Sequence, residues 1–159
     1  MIKQSTNRAL GVVAGVALAL GIVTSASAGM TEPGDVMMKE GMVAMSLIGT
    51  PGDTAVGKKA FVNRKLGNCL ACHVNSDMAS QPYHGEVGPS LDGVADRYSE
   101  SELRAILVNS KTVLGEGTIM PSFYTVHTDQ RVAKKFKGKT VLSAEQVEGI
   151  LAYLLTLKE

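Results

Sequence analysis

Two thiols and an imidazole stand together at Cys69-Leu70-Ala71-Cys72-His73. Side chains three positions apart lie on one side of a helical turn. From there both thiols can form thioethers to the two vinyl groups of one porphyrin. The next residue, His73, can then reach the iron as its proximal ligand. This C-x-x-C-H spacing is the attachment pattern of a c-type haem. Other chemistries fit less well. A thioredoxin-like pair needs a strand-helix setting, and no apolar strand reads around residue 69. A zinc site wants four ligands, and His84 and His127 lie far apart. A disulfide across the motif leaves His73 unexplained.

An iron held by His73 needs a distal group. The candidate is Met120, within Ile119-Met120-Pro121. A thioether is a soft, neutral donor that favours ferrous iron, and the proline after it would stiffen the loop. His84, His127 and Met78 are the competing ligands. On the proximal side, Gly88-Pro89 offers a carbonyl that could accept the His73 Nδ1 hydrogen, fixing the ring and raising its basicity. Otherwise the pair simply makes a turn.

These groups must be placed by the rest of the chain. Asp53 or Thr54 can cap a helix running to about Leu66, with Gly67 as its stop. Gly57 and Phe61 share a face of it, and the glycine permits close approach of another helix. Residues 74–98 read as irregular, which wrapping a cofactor edge would explain. Ser99 and Glu102 form a capping box for a helix ending near Asn109, with Leu103, Ile106 and Leu107 on its apolar face. Residues 110–142 read mostly as coil. Ser143 and Gln146 form a second box, and Val147, Ile150, Leu151, Leu154 and Leu157 repeat at helical spacing. Tyr153 is available to pack near Gly57 and Phe61.

The N-terminal residues read as an export signal. Lys3 and Arg8 precede an apolar run from Ala9 to Val23, and Ala26-Ser27-Ala28 supplies a cleavage pattern. The expected division is a signal peptide at 1–28, an extension at 29–52 and a domain at 53–159. Export implies the periplasm or an equivalent space. Loss of the two basic signal residues would take the formal charge from +1 to −1. Near-neutral charge argues against nucleic acid as the main partner. Both cysteines fall in the motif, and aromatic residues are only 4% with no Trp. A buried porphyrin would supply the missing flat apolar bulk.

In the extension, Met37, Met38, Met42 and Met45 sit at helical spacing within Asp35 to Ile48, predicting a short helix capped at Gly34 or Asp35. Its methionines would form a packing surface or an adaptable protein contact. Arg131, Lys134, Lys135, Lys137 and Lys139 form a basic run. It reads as a solvated face or as a surface steering an acidic redox partner.

Taken together, the Gly57/Phe61 helix, Cys69–His73, Gly88-Pro89-Ser90-Leu91, Met120-Pro121 and the C-terminal helix resemble a small class I cytochrome c over about residues 53–159. The resemblance implies an all-α fold of about four to five helices around one covalently bound haem c. It implies His73 and Met120 as axial ligands and the Pro89 carbonyl as the partner of His73.

The segments Asn63–Cys69, Gly85–Ala95 and Thr118–Tyr124, with the lead Gly49–Asp53, are similar more narrowly to the SoxX family. Those are the monohaem subunits of SoxAX thiosulfate-oxidising complexes. That likeness implies a SoxA partner and a heterodimeric L-cysteine S-thiosulfotransferase that joins thiosulfate to a cysteine of the SoxYZ carrier. The chain would be its electron-accepting subunit, relaying to a downstream cytochrome. With both thiols consumed by haem, the sulfur-handling cysteine would be on the partner. The alternative is a free periplasmic monohaem carrier for another respiratory chain. A haem sensor or peroxidase would need an open distal site, which Met120 disfavours.

Overall fold

The computed structural model describes residues 29–128 and 132–159; the expected signal peptide and Arg131 lie outside them. Among the described residues four α-helices form: α1 (Thr54–Val62), α2 (Val94–Arg97), α3 (Glu100–Leu114) and α4 (Ala144–Leu154). Short 3₁₀ turns at Cys69–Ala71, Ser76–Met78 and Lys134–Phe136 punctuate the connections. Among the described residues no strand forms beyond a single bridge between Lys39 and Met42. The all-α expectation is met.

The frame is the crossing of α1 with α4. Asp53 starts α1 by accepting from the Ala55 amide at 2.7 Å. Gly57, Ala60 and Phe61 make its buried face. The Ser143/Gln146 capping box starts α4, which buries Val147, Ile150, Leu151 and Leu154. At the crossing, glycine meets glycine. A Cβ on Gly57 would fall on the carbonyl of Gly149, and one on Gly149 would sit 2.8 Å from the Gly57 nitrogen. One turn on, the Phe61 and Tyr153 rings meet edge to face at 5.2 Å and 83°, a favoured aromatic geometry.

Helix α1 ends four residues short of the expected Leu66. Asn63 leaves helical geometry (φ −72°, ψ 115°), and its side-chain oxygen takes the Lys65 amide at 2.8 Å. An asparagine offering the backbone such a local bond stops a helix. In contrast α3 runs past Asn109 to Leu114, with a break at Asn109 itself. The expected Ser99/Glu102 box is in place. Helix α2 was not anticipated within the irregular 74–98 segment; Gly93, at φ 65°, turns the chain into it.

The methionine-rich helix does not form. Only Pro33–Asp35 makes a 3₁₀ turn, and Glu40 and Gly41 lie at φ 53° and 74°, which no helix tolerates. The extension instead runs across α3 and α4, bonded to them. The Val43 amide donates to Ser101 O at 3.0 Å, and the Leu47 amide to Glu148 Oε1 at 2.9 Å. Arg104 Nη1 donates to Val43 O at 3.0 Å. Arg104 itself pairs with Glu148 at 2.8 Å, their side chains 3% and 1% exposed. Val43 and Leu47 are buried, whereas Met37 and Met45 stand 87% and 77% exposed.

Candidate cofactor cavity

Between α1, α3, α4 and the loops joining them lies a cavity of about 840 Å³. Phe61, Leu91, Leu103, Leu107, Ile150 and Leu154 give it apolar walls, and Cys69, Cys72, His73, Pro89 and Met120 all line it. Sequence-distant candidates are thus brought to one space.

Asn68, in the left-handed region at φ 50°, turns the chain into the Cys69–Ala71 3₁₀ turn. The Cys72 amide donates back to Cys69 O at 3.1 Å and the His73 amide to the same oxygen at 3.0 Å. The two thiols therefore sit one turn apart on the cavity edge. Both are free of disulfide. Burial pushes the Cys69 thiol up to about 12. That holds it neutral, unlike the surroundings that ready a thiolate for metal or sulfur chemistry.

His73 is fixed from behind. Its Nδ1 donates to Pro89 O at 2.7 Å, leaving the lone pair on Nε2 free. Gly88 packs on the ring, where a Cβ would sit 2.7 Å from Nδ1. The glycine of the Gly88-Pro89 pair is therefore a cradle, a role its sequence signal as a turn did not reveal. Below it, buried Asn75 donates to the Tyr153 hydroxyl at 2.8 Å, and that hydroxyl donates to Asp77 Oδ2 at 2.9 Å. Burial, then the Asp77 bond, pushes the Tyr153 hydroxyl well above its ordinary value. This network ties α4 to the segment following His73.

Of the distal candidates, Met78 is buried in the core and His84 holds Met78 O and the Asn75 amide with its two ring nitrogens, at 3.2 and 3.3 Å. Neither lines the cavity. His127 does, with Nε2 donating to Ser122 O at 2.9 Å. Met120 lines it from the loop after α3. From the basic run Lys135 reaches the cavity rim, joined there by Arg64, Lys65 and Arg97, which sequence reasoning did not single out.

Volume, apolar walls, paired thiols on one edge and an oriented imidazole suit one porphyrin. Among the described residues no cluster of three or more His, Cys, Asp or Glu could hold a bare metal ion. The family model for cytochrome c matches residues 54–158.

The chain belongs to the cytochrome c family. Its cofactor is one covalently bound haem c. Among solved structures, the chain is similar to a chain of SoxXA from P. pantotrophus, at 39% identity and a TM-score of 0.75, covering 82% of this chain and 99% of that one. The match reaches well beyond the cytochrome c core, in line with the likeness to the SoxX family. No curated protein sequence matches. No helix among the described residues is long and apolar enough to cross a membrane.

Proposed function

We propose that this chain is the electron-accepting SoxX subunit of a SoxAX-type complex, a heterodimeric L-cysteine S-thiosulfotransferase. The complex couples thiosulfate oxidatively to a cysteine of a SoxYZ carrier. The observation that carries this is the haem cavity within a fold 39% identical to a SoxXA chain over almost all of that chain. Cys69 and Cys72 hold the macrocycle through thioethers, His73 and Met120 bind the iron, and the Pro89 carbonyl orients His73. The bound haem supplies a one-electron couple whose potential a thioether ligand raises.

What the protein itself does is bind and orient. The apolar walls keep water from the iron, the Pro89 carbonyl keeps a proton on His73 Nδ1, and the Met120 loop presents a neutral donor. With both thiols bonded to haem, no cysteine remains for sulfur transfer, so that chemistry belongs to SoxA. Residues 1–28 are a cleaved signal, 29–52 an extension and 53–159 the domain, in the periplasm. A downstream cytochrome takes the electrons onward.

Mass measurement of the exported protein, with identification of what co-elutes from thiosulfate-grown cells, tests this reading. The expected result is the 29–159 polypeptide plus one haem, together with SoxA. A haem-bearing monomer that never recovers SoxA would instead favour the free carrier.

A further inference from the structure

Helix α3 breaks where it meets the loop carrying Met120. Asn109 lies at φ −145°, ψ 81° inside the helix. In an unbroken helix the carbonyls of Leu107 and Val108 would accept from the amides four residues on. Here the Phe123 amide donates to Leu107 O at 3.0 Å and the Tyr124 amide to Val108 O at 3.2 Å. The Thr112 amide turns to Asn109 Oδ1 at 3.2 Å, and the Lys111 amide lies 3.5 Å from Ser122 Oγ. The break exchanges bonds inside the helix for bonds to residues 120–124.

Side chains complete the clasp. Ser110 Oγ donates to Met120 O at 2.7 Å, and Ser122 Oγ donates to Asn109 Oδ1 at 3.0 Å. Ser110 and Ser122 are 0% and 3% exposed, so water cannot replace these partners. Lys111 Nζ donates to Thr118 O on the near side of the loop. The backbone of Met120 is thus held on both flanks and at its own carbonyl.

We propose that Asn109, Ser110 and Ser122 are positioning residues for the Met120 thioether, with the helix break as the device that presents them. This rests on the reading of Met120 as distal ligand. A thioether is a weak neutral donor, so its hold on the iron depends on a loop already in place. Releasing the loop lets the methionine detach more often and an external ligand enter.

The test uses the holoprotein. It reads the weak far-red charge-transfer band of thioether-bound ferric haem, the midpoint potential, and the rate of cyanide binding, which displaces the thioether. Ser110→Ala and Asn109→Ala should bind cyanide about tenfold faster, the ratio that one lost buried hydrogen bond supports, with a weakened band. Asn109→Asp, which keeps the acceptor, should restore the rate. Ser143→Ala, which removes the cap of α4, should lower thermal stability without changing the rate. If Ser110→Ala does not yield holoprotein, half-buried Asn109 decides. Cyanide rates within about twofold of wild type in Asn109→Ala, while Met120→Ala abolishes the band, would overturn the positioning role and leave the ligand in place. A band that survives in Met120→Ala would overturn the ligand reading instead.

Discussion

Replacing Gly57 with alanine sets two effects against each other. Alanine in a helix interior is favoured over glycine by about 1 kcal/mol. Against that, the new methyl lands on the backbone carbonyl of Gly149, with the Ile150 nitrogen close behind. A backbone atom cannot swing aside as a side chain would, so α1 and α4 must separate. Overpacking a tight contact costs about 1–3 kcal/mol, occasionally more. The separation also loosens Phe61, Ile150 and Leu154, which wall the cavity. The upper part of that range wins here, giving a net loss of about 2 kcal/mol. For a domain of this size that lowers Tm by roughly 6–10 °C. Calorimetry of the holoprotein measures it, with Gly34→Ala as reference because a Cβ there meets nothing within 4 Å. A Gly57→Ala protein as stable as wild type would refute the argument that the helices meet backbone to backbone.

Three further outcomes follow from other contacts. Glu148→Gln leaves the buried Arg104 guanidinium with only the half-exposed Glu100 as carboxylate partner, and breaking a buried pair costs up to about 3–5 kcal/mol; Arg104→Met with Glu148→Leu should recover part of it, and denaturant melts showing the double variant to be the weaker would contradict this. Tyr153→Phe strands the fully buried Asn75 amide and should cost about 1–3 kcal/mol, read as a lower urea midpoint; an unchanged midpoint would mean the network carries no weight. The Ser76 amide and hydroxyl hold Asp92 below its ordinary carboxylate value. Its contribution is therefore present above the unfolded-state value near 4 and fades as pH falls through the lower folded-state value. Asp92→Asn should flatten the acid arm of the stability profile, and an arm as steep as wild type would reject the assignment.

The haem motif and the two capping boxes were legible because each depends on residues adjacent in sequence. Ser99 with Glu102 and Ser143 with Gln146 satisfy local amides, so spacing alone suffices. The close helix approach at Gly57 was legible for its residue type, though not its partner, since Gly149 lies 92 positions away. The methionine stretch misled because its apolar spacing is helical while its backbone bonds go to Ser101 and Glu148. Periodicity cannot see a segment whose amides are satisfied by another part of the chain. The same blindness applied at Asn109. A helix end was expected there, and the chain does leave helical geometry at that residue, but resumes it because Asn109 caps the next turn. Gly88 was missed as a support for His73 because nothing local distinguishes a cradle from a turn.

The Leu47–Glu148 bond and the Gly57–Gly149 crossing join residues about a hundred positions apart. Contacts so far apart in sequence each close a long loop, at a cost in chain entropy that local contacts do not carry. The same contacts hold Ile150 and Leu154 as one wall of the cavity that Cys69 and Cys72 border. Enclosure of the cofactor is thereby tied to the meeting of the two ends of the domain.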